Sequence, residues 1–243
     1  MKLDILAFGA HPDDIELSCA GTLLMEKRNG KKVGIVDLSK GELGTRGTAN
    51  QRLEEASAAA KIMGIDYREN LSLADGFFQN DEKHQKVVIA SIRKYQPEII
   101  ICNAPEDRHP DHGRSASLIS DAAFLSGLKK IETIADGVVQ KEWRPKYVFN
   151  YIQDRYLVPN FVIDISPVMD KKIEAIKAYK SQFFNPESTE IDQTYISSPQ
   201  FLESVIYRAK MFGKMIGVDY AEGYISKKMI GIRNLDAFIQ NNT

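Results

Sequence analysis

The stretch Leu3-Asp4-Ile5-Leu6-Ala7-Phe8-Gly9-Ala10-His11-Pro12-Asp13-Asp14-Ile15-Glu16 decides the fold. Its first part reads as a buried strand and its middle as a polar loop. From Ile15 onward, Leu17, Ala20, Leu23 and Leu24 recur at helical spacing until Asn29-Gly30 stops the pattern. The same strand, loop, helix order repeats outward. Val33–Leu38 precedes a helix near Asn50 to Met63, Tyr67–Leu71 precedes one near Asp81 to Tyr95, and Glu98–Asn103 precedes one from about His112 to Leu125. Strands alternating with helices of this length predict parallel βαβ units, hence an α/β fold: a Rossmann-like open parallel sheet with helices on both faces and strand order 3-2-1-4-5.

Past Gly127, Tyr147–Ile152 and Phe161–Ile165 read as further strands. Val168–Phe184 and Phe201–Ile216 read as helices, and the polar run Asn185–Tyr195 between them as a surface loop. No repeat or compositional break separates the halves, so residues 1–243 are expected to form one domain whose C-terminal third extends the sheet at its periphery.

With 32 Lys+Arg against 33 Asp+Glu the formal charge is -1, which argues against a polyanion-binding charge field and a nucleic-acid partner. An apolar fraction of 43% excludes a disordered chain. There is no run of about 18 apolar residues and no basic export-type start in Met1-Lys2-Leu3-Asp4, so neither a membrane partner nor secretion is expected. Cys19 and Cys102 suit buried thiols, consistent with a cytoplasmic location.

Two loops concentrate the chemistry. Gly9-Ala10-His11-Pro12-Asp13-Asp14 follows the first strand and Asp107-Arg108-His109-Pro110-Asp111-His112 follows the fourth. In an open α/β sheet the ligand crevice lies beyond the carboxyl ends of the strands at the switch point, where strands 1 and 4 are neighbours. The loops should therefore face each other. Imidazole nitrogen and carboxylate oxygen suit zinc, with iron(II) also compatible, and catalytic zinc takes three protein ligands plus water. His11, Asp14 and His112 would supply those three. Asp13, His109 and Asp111 are then the types expected for a general base, a general acid and an orienting carboxylate. Turn-forming His-Pro-Asp and helix-capping Asp are the competing structural explanation for either loop alone. The fourth histidine, His84, reads as a surface group on a polar helix. A dinucleotide site would need G-x-G-x-x-G where this chain has G-A-H-P-D-D, whose carboxylates would repel a pyrophosphate.

The segments HPDDIELSCAGTL (His11 to Leu23), KGELGTRGT (Lys40 to Thr48) and RHPDH (Arg108 to His112) resemble the LmbE-like or PIG-L-like zinc deacetylases. The resemblance implies an LmbE-like deacetylase fold and hydrolysis of the N-acetyl group of a small-molecule GlcNAc conjugate, with GlcNAc-malate of the bacillithiol pathway as the leading candidate. It also implies His11, Asp14 and His112 on zinc, Asp13 as base, His109, as imidazolium, stabilising the oxyanion or donating to the leaving amine, and a homo-oligomer. By approximate position it places Tyr195 over the pocket as a second donor to the oxyanion.

A malate aglycone carries two carboxylates, which arginine binds bidentately, so Arg52 and Arg108 are preferred and Arg46 is a weaker candidate. Glu42 would bind a sugar hydroxyl or pair with an arginine. Other readings are another GlcNAc glycoside, an amidase of thiol S-conjugates, a binding protein with a structural ion, and a two-metal phosphoesterase.

Overall fold

All five residues of strand β1 (Ile5–Gly9) are buried, because it lies inside a seven-stranded sheet. The computed structural model describes residues 2–135, 137–184, 192–232 and 234–238. After β1 come α1 (Asp14–Ser18), α2 (Ala20–Arg28), β2 (Val33–Asp37), α3 (Ala49–Met63), β3 (Tyr67–Asn70), α4 (Glu82–Tyr95), β4 (Ile99–Cys102) and α5 (Pro110–Leu125). A small hairpin, β5 (Ile134–Ala135) and β6 (Val138–Val139), precedes β7 (Tyr147–Tyr151), β8 (Phe161–Asp164), α6 (Met169–Lys177), α7 (Pro199–Ile216) and β9 (Ala221–Ser226).

The strand order is β3-β2-β1-β4-β7-β9-β8. β1, β2, β3, β4 and β7 pair in parallel, as the sequence predicts, and β9 runs antiparallel to both its neighbours. Side chains alternate across the sheet. Ile5 and Ala7 enter one core, with α2, α3 and α6, while Leu6 and Phe8 enter the other, under α4 and α5. Covering on both faces explains the continuous apolar runs.

Three features differ from the sequence reading. The helix expected from Ile15 to Asn29 is two helices, interrupted at Cys19 (φ -136°, ψ 10°). The restart is capped from outside: Glu222 of β9 accepts the Gly21 and Thr22 N–H groups at 2.9 and 2.7 Å, and Lys172 pairs with the same carboxylate at 2.5 Å. A Cβ at Gly21 would fall 2.7 Å from Ile165, so only glycine allows this approach. Secondly, the helix expected over Val168–Phe184 becomes a short 3-10 turn followed by α6, which ends at Lys177. The turns that follow bring Ser181 to Glu55 and Gln182 to Arg52. Thirdly, β9, which lies between β7 and β8, has no counterpart in the sequence reading. Most of the expected polar loop, residues 185–191, lies outside the described residues. Tyr195 opens a 3-10 turn, Tyr195–Ser197.

Candidate active site

β1 and β4 pair side by side, Ile5 opposite Ile99, so the loops at their carboxyl ends meet. Asn103 joins them: its Oδ1 accepts the Ala10 N–H (2.9 Å) and the Ser115 hydroxyl (2.8 Å), and its Nδ2 donates to Asp14 Oδ2 (2.9 Å). Asp13 sits at φ 114°, a left-handed backbone costly for a residue with a Cβ, where the chain turns into α1. The loops border a cavity of about 250 Å³.

Each buried histidine has one ring nitrogen held by carboxylates and the other turned to Asp14. His11 Nε2 lies 2.9 Å from Asp75 Oδ1 and 3.3 Å from Asp111 Oδ2, and its Nδ1 is 3.7 Å from Asp14 Oδ2. His112 Nδ1 lies 2.6 Å from Asp107 Oδ2, and its Nε2 is 3.2 Å from Asp14 Oδ1. Asp14 is fixed further by the His11 N–H (3.1 Å) and by Gln153 Nε2 (2.8 Å). Asp111, fully buried, also accepts the Gly76 N–H (2.8 Å) and Arg114 Nη1 (2.5 Å). It orients His11, a choice that the sequence leaves open. Ring nitrogens of His11, His109 and His112 lie within 4.8 Å of one another.

The electrostatics call for a cation. Burial alone would push His11 and His112 down, but the carboxylates around them hold them up at about 10 and about 9. Burial would raise Asp14, yet His112 and His11 keep it well below the usual carboxylate range. So many buried carboxylates need either protons on the imidazoles or a metal ion. The donor set fits a divalent metal: the lone pairs of His11 Nδ1 and His112 Nε2 face one carboxylate, with a carboxylate behind each imidazole, as metal-ligating histidines require. His11, Asp14 and His112 would hold the ion.

Burial raises Asp13 to about 7 against the lowering pull of Arg52. His109 departs from the expected imidazolium. It is the N-cap of α5, its Nδ1 accepts the Asp111 N–H (3.2 Å), and burial together with the nearby His11 and His112 pushes it down. It is therefore neutral, with its proton on Nε2, and its ring lines the cavity.

The substrate-facing expectations fare unevenly. Arg52 is buried, with Nη2 donating to Asp13 Oδ2 (3.3 Å) and Gln182 Oε1 (2.5 Å) and Nη1 to Gly41 O (3.3 Å). Arg52 thus lines the cavity with both terminal nitrogens bonded to the protein. A Cβ at Gly41, which has φ +66°, would lie 1.8 Å from Arg52 Nη1. Arg108 borders the cavity half-exposed, donates from Nε to Asp154 Oδ2 (3.1 Å) and lies 4.5 Å over the Tyr195 ring. Tyr195 stands at the same rim with its hydroxyl on Asp154 Oδ1 (3.0 Å). Glu42 is exposed and outside the cavity wall. It accepts the Asp75 N–H (3.0 Å) and Lys40 N–H (3.2 Å), which closes a loop, and it forms no ion pair with an arginine among the described residues. Arg46 is buried and likewise off the cavity wall. His84 bonds Asp81 at the start of α4.

Sequence reasoning gives no role to Asp75, Asp107, Asn103, Gln153, Gln182 and Arg208. Asp107 is visible within the second loop, and Asp75 precedes a glycine after β3 where it reads as an ordinary turn. The others carry no local signal.

A family model described as PIG-L, GlcNAc-PI de-N-acetylase, matches residues 6–123. The chain is 31% identical to the conserved protein TT1542 from Thermus thermophilus, covering 95% of this chain and 98% of that one, with a TM-score of 0.84. It is 28% identical to the diacetylchitobiose deacetylase of Thermococcus kodakarensis over 90% of this chain and 81% of that protein. Two further relatives, each 26% identical, are a probable N-acetyl-alpha-D-glucosaminyl L-malate deacetylase 2 of Bacillus subtilis, covering 75% of this chain and 84% of the other, and the 4-oxalmesaconate hydratase of Pseudomonas putida, covering 73% of each. The chain belongs to the PIG-L family of LmbE-like de-N-acetylases. These are hydrolases of the mostly parallel α/β fold described above.

Proposed function

We propose that this family member is a metal-dependent N-deacetylase acting on a small-molecule GlcNAc conjugate, with GlcNAc-malate as the leading candidate, and that residues 1–243 act as one catalytic domain. The observation that carries the reading is the convergence of His11 Nδ1, Asp14 and His112 Nε2 beside a buried Asp13 in one cavity. The malate deacetylase and chitobiose deacetylase relatives support the substrate class.

A divalent metal held by His11, Asp14 and His112, zinc by the type of its donors, would polarise the acetyl carbonyl and acidify a water. Asp13 is placed to take a proton from the attacking water as the water's oxygen adds to the carbonyl carbon. Arg52 holds the Asp13 carboxylate at 3.3 Å, so the base is positioned before substrate arrives. His109 donates a hydrogen bond from its Nε2–H to the oxygen that gains charge, and Asp13 passes the proton it took to the departing nitrogen. The C–N bond breaks, and acetate and a free amine leave. Asp75 and Asp111 fix His11, Asp107 fixes His112, and Tyr195 and Arg108 stand at the mouth, tied to Asp154.

The test is acetate release from GlcNAc-malate, N,N'-diacetylchitobiose and GlcNAc by protein of measured metal content, with Asp13→Ala alongside. Acetate release that disappears in Asp13→Ala while metal is retained is expected. Metal-loaded protein releasing no acetate from any of them would overturn the reading and turn attention to water addition, the reaction named for the hydratase relative. Full activity in Asp13→Ala would remove Asp13 as the base.

A further inference from the structure

The cavity contains a guanidinium that the chemistry above does not use. Arg208, on α7, lines the cavity and, among the described residues, makes one hydrogen bond, from Nη2 to the Leu17 carbonyl at 2.9 Å. The other basic side chains nearby are neutralised: Arg52 by Asp13, Arg108 by Asp154, and Lys172, which bonds the same Leu17 carbonyl, by Glu222. Arg208 forms no ion pair among the described residues. Burial pushes it below the ordinary arginine range, with Asp154, Asp107 and Glu222 too far to pair but pulling the other way.

Arg208 is only partly buried, and a guanidinium without a counter-ion at a cavity wall is free to pair with a ligand anion that enters it. The fork geometry suits a planar carboxylate or a phosphate. Leu17 belongs to α1, the helix that opens with Asp14, so the bond to its carbonyl sets Arg208 at a fixed offset from the proposed metal donors.

We infer that Arg208 is the specificity-determining residue of this site, receiving a carboxylate or phosphate on the aglycone so that anionic N-acetyl sugars are selected over neutral ones. This rests on the N-deacetylase reading and moves the anion-reading role from Arg52 to a residue with unengaged donors.

The experiment compares kcat/KM for GlcNAc-malate, GlcNAc 1-phosphate and neutral N,N'-diacetylchitobiose in the metal-loaded wild type, Arg208→Gln and Arg208→Lys. The wild type should favour an anionic substrate by about ten- to a hundredfold, the span of a charge-assisted hydrogen-bonded pair. Whichever of carboxylate and phosphate carries the preference identifies the anion. In Arg208→Gln that ratio should collapse through KM for the anionic substrate, and Arg208→Lys, with charge but no fork, should keep part of it. A wild-type preference for the neutral sugar would overturn the inference, as would equal losses on all substrates in Arg208→Gln.

Calorimetric binding of L-malate and inorganic phosphate to the holoprotein supplies a readout independent of turnover. Binding weakened tenfold or more in Arg208→Gln, without acetate release from any substrate, would sink the deacetylase reading and support the anion subsite. Acetate release with no anionic preference and no Arg208-dependent binding would sink the subsite alone.

Discussion

Asp107→Asn tests whether the carboxylate behind His112 determines which ring nitrogen faces the proposed metal position. Asp107 Oδ1 accepts the Arg155 and Asp154 N–H groups at 2.8 and 3.2 Å, and Oδ2 accepts from His112 Nδ1 at 2.6 Å. Asparagine keeps the size and the Oδ1 contacts but sets an NH2 group against Nδ1. The imidazole then shifts its proton to Nε2, the nitrogen 3.2 Å from Asp14 Oδ1 that must present a lone pair, or it gives up the contact. Loss of such a partner costs about 10–100-fold in metal affinity, or about 1.4–2.7 kcal/mol. Zinc dissociation constants measured by competition with a chromophoric chelator should show that weakening, with near-UV dichroism and the urea midpoint of the metal-free protein close to wild type. A constant within twofold of wild type, in a folded variant, would refute the claim that this bond selects the donor nitrogen.

Lys172→Met should cost about 3–5 kcal/mol, because it leaves the buried Glu222 without its cation, lowering Tm by roughly 6–20 °C for a chain of this size. Adding Glu222→Gln should recover part of the loss, since it removes the uncompensated charge and its amide oxygen can still receive one of the Gly21 and Thr22 N–H groups, which go to different oxygens of Glu222. A single variant melting within about 2 °C of wild type would contradict this. Arg52→Ala should lower kcat on the order of ten- to a hundredfold for anionic and neutral substrates alike, since it unseats a base of the kind that contributes 10²–10⁴. A KM increase restricted to dicarboxylate substrates would instead restore the substrate-binding role expected from the sequence. Burial would raise Asp66, but Lys27 Nζ (2.6 Å) and the Val33 N–H (2.7 Å) outweigh it and lower its pKa. Its contribution is thus present above the unfolded value of about 3.9 and lost as pH falls through the lower folded value. The urea-midpoint gap between wild type and Asp66→Asn should narrow from pH 7 to pH 3, and a constant gap would count against it.

What is legible in the sequence is local. β1 to β4 each pair with a strand from a repeat of the same unit, and their apolar runs announce them. The donor histidines stand out because histidine is scarce in this chain and two of its loops hold three of the four. β9 escapes such a reading because Ala221-Glu222-Gly223-Tyr224 contains a charge and a glycine, and its β7 and β8 pairing is set by tertiary packing. Arg52 reads as a substrate residue for the same reason: its partners Asp13 and Gln182 lie 39 and 130 residues away. Arg208 sits within an amphipathic helix where an arginine normally faces solvent.

The cap on α2 bears on when the site comes into being. The proposed metal donors and Asp13 lie within the first 112 residues, inside the span matched by the family model. Glu222, which receives the N–H groups of Gly21 and Thr22, emerges from the ribosome some 200 residues after them. Contacts of that sequence separation slow folding, because a long loop must close before they form. During synthesis the nascent chain therefore carries its histidines and carboxylates before α2, which follows the short helix that presents Asp14, is anchored. Completion of the active site becomes one of the last events in folding, so premature chain ends should yield a polypeptide that contains the whole motif but lacks a formed site.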